Sequence, residues 1–322
     1  MSKLITAGMR RIDGTDIEIF PLGLGGNTFG NTTDAAASET VLDAFLNGGG
    51  NFIDTADQYS FWKPGNRGGE SETILGEWMQ KRKNRQKVIL ATKVGGHPER
   101  KGLTPDNIAI AVEDSLRRLR TDYIDLYYAH FDDEPRPIEE IASSFDELVK
   151  AGKVRHVGIS NFTPERIEAW MRVAKENNLA VPVALQPEYS LVRRKKYEQS
   201  YAPIAQKHKL AVFPYFALAS GFLTGKYRTK KDLEGKARGQ AVAAHMNEQG
   251  LAVVDTLRKI ASARNAAVAT VALAWILKKP TVTAPLASAT SVQQLKELLA
   301  APKLDLSDDE MSELDAISQP FA

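Results

Sequence analysis

Four residues in the first 130 positions have side chains that could together move a proton: Asp54, Tyr59, Lys93 and His130. A free phenol has a pKa near ~10 and donates poorly at neutral pH. An ammonium beside it favours the phenolate and lowers that value. A buried ammonium in turn needs a carboxylate. On this reading Lys93 tunes Tyr59, Asp54 holds Lys93, and His130 hydrogen-bonds the oxygen that receives the proton. Singly, each residue has an ordinary explanation: Asp54 as a cap, Tyr59 as packing, Lys93 as a solvated strand end, His130 as a structural imidazole. Only a fold that gathers the four makes them a site.

The apolar pattern predicts such a fold. Short strand-like runs at 22–26, 51–56, 87–94, 123–130, 154–160, 183–189, 210–216 and 281–286 alternate with helical patterns. Several runs, such as Val88-Ile89-Leu90-Ala91, are continuously apolar, as in strands buried on both faces of a parallel sheet. Helices are expected after Asp34, at 70–81, after Thr104-Pro105, at 137–151, after Thr163-Pro164, and at 198–208, 246–264, 268–278, 291–300 and 307–317; a loop is expected at 220–239. Eight β-α alternations predict an α/β fold, a (β/α)8 TIM barrel forming one domain over residues 1–322. A hairpin at Asp13-Gly14 precedes it, and extra helices lie near the C-terminus.

In a barrel the chemistry collects at the C-terminal strand ends. Strand two ends at Asp54 with Tyr59 just beyond, strand three at Lys93 and strand four at His130; strands five, six and seven end at Ser160-Asn161, Gln186 and Tyr215. Phe29, Trp62 and Phe131, past ends one, two and four, are expected to wall an apolar substrate cavity around Tyr59 and His130, and the Gly-rich loop 60–69 to shape its entrance.

Composition excludes several alternatives. With 42 basic and 40 acidic residues the net charge is +2, which gives no electrostatic footprint for nucleic acid or a membrane surface. The runs Arg82-Lys83-Asn84-Arg85 and Arg193-Arg194-Lys195-Lys196 read as solvated charge, and His97, His156, His208 and His245 as structural or exposed. The absence of cysteine removes disulfides, thiolate metal sites and cysteine nucleophiles, and no H-E-x-x-H motif supports a metal. No apolar run reaches the ~18–20 residues of a spanning helix, and the N-terminus has no leader core, so a cytoplasmic protein is expected. Monomer and homo-oligomer stay equally open.

Three segments give a more specific signal: Gly50-Asn51-Phe52-Ile53-Asp54-Thr55-Ala56 with Tyr59, the run from Gly152 to Phe162, and Gly221-Phe222-Leu223-Thr224-Gly225-Lys226. In this order they resemble the aldo-keto reductase superfamily along almost the whole chain. The resemblance implies an NAD(P)H-dependent oxidoreductase interconverting an aldehyde or ketone and its alcohol, with Asp54, Tyr59, Lys93 and His130 as the catalytic tetrad. It also implies cofactor contacts. Ser160, Asn161 and Gln186 would bind the nicotinamide carboxamide, and Tyr215 would stack on the ring. Leu218, Ser220, Gly221, Leu223 and Lys226 would follow the pyrophosphate, and Ser288, Thr290 and Gln294 the adenosine end; Asn27, Thr28, Asp54 and Phe216 complete the set. Two positions depart from the family pattern. Phe216 stands where a small polar residue is usual, and Thr290 stands where a basic residue often pairs with the 2′-phosphate of NADP. NADPH is still favoured over NADH, with no metal. The other reading is an NADP-binding regulatory subunit resembling potassium-channel β subunits; those relatives lack the histidine that this chain has at His130. A barrel lyase or isomerase without nicotinamide is a third.

Overall fold

Parallel strands cannot be joined by tight turns, so successive strands of the parallel sheet in this chain are joined by long crossovers. The computed structural model describes residues 8–236 and 238–322; the first seven residues, read above as lacking a leader core, lie outside the described residues. An antiparallel hairpin, β1 (Arg10–Arg11) and β2 (Glu18–Ile19), comes first. Then follow β3 (Gly23–Gly25), β4 (Phe52–Asp54) and β5 (Ile89–Val94), and a short hairpin of β6 (Gly96–His97) and β7 (Arg100–Lys101). The remaining strands are β8 (Ile124–Ala129), β9 (Val154–Ser160), β10 (Ala184–Gln186), β11 (Ala211–Val212) and β12 (Leu286–Ala287). The helices are α1 (Ala35–Asn47), α2 (Glu70–Arg82), α3 (Pro105–Leu119), α4 (Ile138–Lys150), α5 (Pro164–Glu176) and α6 (Ala202–His208). After them come α7 (Gly239–Ala243), α8 (Glu248–Ala263), α9 (Val268–Leu277), α10 (Val292–Leu299) and α11 (Asp308–Ile317).

The eight parallel strands run in the order β11-β10-β9-β8-β5-β4-β3-β12. The ring closes where Val212 bridges Val282 and the Leu286 amide donates to the Pro214 carbonyl at 2.8 Å. The (β/α)8 barrel and its N-terminal hairpin are therefore as expected. Asp34, Thr104 and Thr163 cap α1, α3 and α5 by accepting from the amides of Ala37, Asn107 and Arg166.

Side chains alternate faces along a strand. The inward set packs the barrel with Phe52, Ala91, Leu126, Tyr128, Ala184, Phe213 and Leu286, and the hairpin residues Ile12, Ile17 and Ile19 join it as a floor. Arg10 fixes that floor by donating to the carbonyls of Val282, Thr283 and Leu277. Two residues further on, the next inward position is polar on seven strands: Asp54, Lys93, His130, Ser160, Gln186, Tyr215 and Ser288. A dry barrel therefore ends in one polar layer at its C-terminal mouth.

Several elements differ from the sequence expectation. The eighth strand is short and late, Leu286–Ala287, because Pro280 and Pro285 interrupt the run expected at 281–286. The segment expected as a loop at 220–239 holds 3-10 turns at Ala219–Thr224 and Lys230–Leu233 and then enters α7. The helix expected at 198–208 opens as a π turn, Tyr197–Tyr201. Arg194 is buried rather than solvated: it pairs with Glu198 at 2.8 Å and donates to the Asp315 carbonyl and Ser318 Oγ.

Helices α2 and α3, which flank strands β4 and β5, meet at Gly76, where a Cβ would overlap the Arg118 carbonyl and the Leu119 backbone. In an open helix Gly→Ala gains about 1 kcal/mol. Here we expect Gly76→Ala to lose about 1–3 kcal/mol in urea unfolding; a stabilised variant would contradict the close approach.

Candidate active site

The mouth layer is built by register. Asp54 of β4 lies beside Ala91 of β5, and the ladder runs on past the strand, with the Thr55 amide donating to the Ala91 carbonyl (2.8 Å) and the Asp57 amide to the Lys93 carbonyl (3.1 Å). Asp54 and Lys93 thus project inward next to each other. Lys93, fully buried, spends all three ammonium hydrogens: on Asp54 Oδ2 at 2.6 Å, on the Thr55 carbonyl at 2.7 Å and on the Tyr59 hydroxyl oxygen at 3.1 Å. The second oxygen of Asp54 accepts from Gln186 Nε2 at 2.9 Å. His130 stands edge-on to Tyr59 with ring centroids 6.2 Å apart, and Gln58 Nε2 is 3.5 Å from His130 Nδ1. The structure brings all four expected residues together.

Their electrostatics follow from burial. The expectation that Lys93 lowers the Tyr59 pKa is reversed. Burial first, and the Asp54 charge second, push the phenol well above its usual value. Burial pulls Lys93 below its usual value, with Asp54 opposing. Burial, then the Lys93 charge, pulls His130 well below its usual value, so the imidazole is neutral at pH 7.

Around this centre lies a second network. Ser160 Oγ donates to the Gln186 carbonyl (2.9 Å), Asn161 Nδ2 to the His130 carbonyl (2.9 Å) and to Ser160 Oγ (3.0 Å), and Tyr215 OH to Asn161 Oδ1 (2.9 Å). The ends of β8, β9, β10 and the chain after β11 are thereby tied together. Asn27, past β3, accepts from Ser288 Oγ at 2.7 Å. Beyond Tyr215 the chain takes left-handed conformations at Phe216, Ala219, Ser220 and Gly221. Phe216 stacks toward His245, which also faces Phe222, so the aromatic at the departing position anchors this loop.

Residues 21–319 match the model of the aldo/keto reductase family. The chain belongs to the aldo/keto reductase family. It is 33% identical to the protein tas of Escherichia coli, over 97% of each chain. It is 33% identical to the aldo-keto reductase YhdN of Bacillus subtilis, over 94% of this chain and 91% of that one. It is also 33% identical to a probable voltage-gated potassium channel subunit beta of Oryza sativa, over 85% of this chain and 84% of that one. Membership makes this aldo/keto reductase an oxidoreductase of carbonyl compounds in a family that takes small-molecule substrates and uses nicotinamide cofactors, generally NADP. Among the described residues no single helix is long and apolar enough to cross a membrane.

The residues present fit such a cofactor. Arg238, half-buried, has one hydrogen-bond partner among the described residues, the neutral Asn27 Oδ1 at 3.4 Å. A cation drawn into the fold with no carboxylate is suited to a bound anion. A Cβ at Gly221 would touch Lys226 Cε and Nζ at 3.5 Å, so the Lys226 ammonium lies over that loop. Sequence reasoning missed Arg238 because it sits in a stretch without periodicity; only its position against Asn27 and Ser288 marks it. Other expected contacts are placed differently. Thr290 and Gln294 are exposed and bonded to each other at the start of α10, at 2.9 and 3.0 Å. Leu223 is core, so only its backbone is available to a ligand; Thr28 is buried and donates to the Ala289 carbonyl.

Of the expected substrate wall, Trp62 and Phe131 are exposed at the mouth, Trp62 6.0 Å from the Tyr59 ring and Phe131 stacked on His130 at 4.3 Å. Phe61, not foreseen, joins Trp62 at 5.4 Å. Phe29 is a correction: the turn at Gly26–Thr28 directs it inward, and it is fully buried in the main core. The 60–69 loop is pinned, with Ser60 Oγ donating to the Phe29 carbonyl at 2.6 Å and Asn66 Nδ2 to Gly30 and Ser60 carbonyls.

One buried acid was also missed. Asp57 is 2% exposed, and its carboxyl has no side-chain partner among the described residues; Arg118 and the backbone amides of Gly95 and Gln58 are the groups that favour its charge. Burial, then the Glu72 charge, raises its pKa to about 7. An unfolded aspartate ionises near ~3.9. Below that value both states are neutral; as pH rises to about 7 the unfolded state ionises while the folded state still holds its proton, so stability is lost across that window. We expect Asp57→Asn to gain about 4 kcal/mol more over wild type at pH 8 than at pH 4. Urea unfolding at the two pH values checks this, and a pH-independent difference would refute it.

Proposed function

We propose that this protein reduces an aldehyde or ketone to the alcohol, or runs the reverse, with Tyr59 as general acid or base. The hydrogen-bond inventory of Lys93 carries the reading. All its donors are spent, and the one facing Tyr59 uses the phenol oxygen as acceptor. The phenol's own hydrogen is left to point elsewhere, toward a carbonyl oxygen at the mouth. Its raised pKa keeps that hydrogen in place until charge develops on the substrate oxygen. As it departs, the adjacent ammonium stabilises the phenolate, an interaction worth more in the transition state than in the ground state. Asp54 keeps Lys93 charged and, through Gln186, tied to the next strands. Neutral His130, with Gln58 beside Nδ1, would carry its proton on Nε2 and donate to the same carbonyl oxygen.

Bound NADPH would supply the hydride. Ser160, Asn161, Gln186 and Tyr215 would hold its nicotinamide end, and Ser220, Gly221 and Lys226 its pyrophosphate. Arg238, with Asn27 and Ser288, would meet the 2′-phosphate, which compensates for Thr290 at the usual basic position and supports NADPH over NADH. The exposed ring of Phe61, Trp62 and Phe131 favours an apolar or aromatic carbonyl compound. The match to the Escherichia coli protein over 97% of both chains supports one unit across residues 1–322.

The rice channel-subunit relative gives a regulatory reading some support. Tyr59→Phe separates the two. We expect it to lower turnover by at least a thousandfold, on the order of a general-acid contribution with its electrostatic support, while NADPH fluorescence titration is unchanged. Unaltered turnover refutes the role of Tyr59, and no turnover by the wild-type protein with intact NADPH binding favours the regulatory reading. In the same titration Arg238→Ala should weaken NADPH about ten- to a hundredfold and NADH much less; equal losses would remove Arg238 from the 2′-phosphate.

A further inference from the structure

Asp57 lies three residues after Asp54 and two before Tyr59, and its amide is fixed to the Lys93 carbonyl. Charged neighbours face it from every side. On α2, Glu72 is fully buried and accepts from Thr92 Oγ1 at 2.5 Å and from Arg118 Nε of α3 at 2.6 Å. From β5 comes Lys93, and from β8 the Tyr127 hydroxyl, buried and without a partner among the described residues; His97 of the β6–β7 hairpin meets the Asp57 backbone across Gly68. The two cations that act on Asp57 or its neighbours here are already matched one to one, buried Lys93 with Asp54 and half-buried Arg118 with Glu72. Asp57 is a third carboxyl among two satisfied pairs. No cation or side-chain donor among the described residues pairs with its carboxyl, and burying an acid without such a partner is unfavourable. An uncompensated group of that kind beside a reactive centre is a candidate for function.

We propose that Asp57 is a positioning residue for the reaction, whose buried charge acts through Lys93 to hold the Tyr59 proton. The inference rests on Tyr59 being the general acid. Ionised Asp57, buried between Asp54 and Tyr59 in the chain and tied by its amide to the Lys93 carbonyl, adds negative charge that strengthens the hold on both protons; protonated Asp57 does not. The effects on Lys93 and Tyr59 share this sign: the Asp57 charge raises both. Glu72 reinforces it at Lys93, and Arg118 opposes it at Asp57 itself.

The test is the pH dependence of kcat and kcat/KM for reduction of 4-nitrobenzaldehyde by saturating NADPH, in wild type, Asp57→Asn and Tyr59→Phe. Reduction needs protonated Tyr59, so activity falls as pH rises through its pKa. Removing the Asp57 charge should move this alkaline limb to lower pH by about one unit, with NADPH affinity unchanged. A merely structural role would lower activity without moving the limb. If Tyr59→Phe is inactive and the Asp57→Asn profile superimposes on wild type, the inference is overturned while the tetrad reading stands. If Tyr59→Phe keeps wild-type turnover, the tetrad reading itself fails. Should Asp57→Asn not fold, Asp57→Ser removes the same charge and is read in the same way.

Discussion

A fully buried ammonium is the constraint around which the mouth of this barrel is arranged. Taking Lys93 out of water costs several kcal/mol unless its charge and all its hydrogens are satisfied. The fold meets that demand from three places: the Asp54 carboxylate, the Thr55 carbonyl and the Tyr59 hydroxyl. Each comes from the end of β4 or the five residues after it, so the β4–β5 register and the pinned course of the loop to Tyr59 are fixed by one cation. The loop's other restraints, Ser60 to Phe29 and Asn66 to Gly30 and Ser60, hold Tyr59 in reach of it. Loss of any one contact would leave a buried charge short of a partner, which makes the arrangement mutually dependent rather than a sum of pairs.

That dependence also explains why the phenol is a reluctant acid at rest. Lys93 is shared between a carboxylate and a phenol, and the carboxylate takes most of its electrostatic benefit. On the proposed reading Tyr59, its pKa raised first by burial, keeps its proton in the resting protein and would give it up only when a substrate oxygen gains negative charge. A general acid needs that order of events more than it needs a low resting pKa.

The barrel and the tetrad were legible in the sequence for a physical reason. Continuous apolar strands, Thr-Pro helix starts and polar strand ends are local signals, and the alternation of inward and outward residues converts them into one polar layer. What was not legible depends on tertiary environment. Phe29 and Trp62 are both aromatic residues past strand ends, yet one is core and the other rim, because a 3-10 turn reverses the first. Arg194 reads as part of a basic run, but an acid four residues on and two C-terminal acceptors draw it inside. The sign of the Tyr59 shift could not be had from residue types either, since it is set first by burial and then by the Asp54 charge. Asp57 was overlooked because an acid beside a reactive loop is usually solvated, and only burial shows otherwise.

The loop after β11 is held by packing in an unusual backbone conformation. Phe216, Ala219 and Ser220 all hold positive φ, a conformation that costs non-glycine residues about 1–3 kcal/mol each. Such strain persists only where the surroundings impose it. Here Phe216 and Phe222 pack on either side of His245, and Gly221 leaves room for Lys226 to fold over the backbone. The result is a turn with a cation above it, near a half-buried Arg238 that no carboxylate among the described residues neutralises. Packing energy is thus used to hold positive charge and left-handed backbone in one place, a combination suited to phosphate groups. The same replacement that departs from the family pattern, an aromatic at 216, supplies one of the two rings that make this possible.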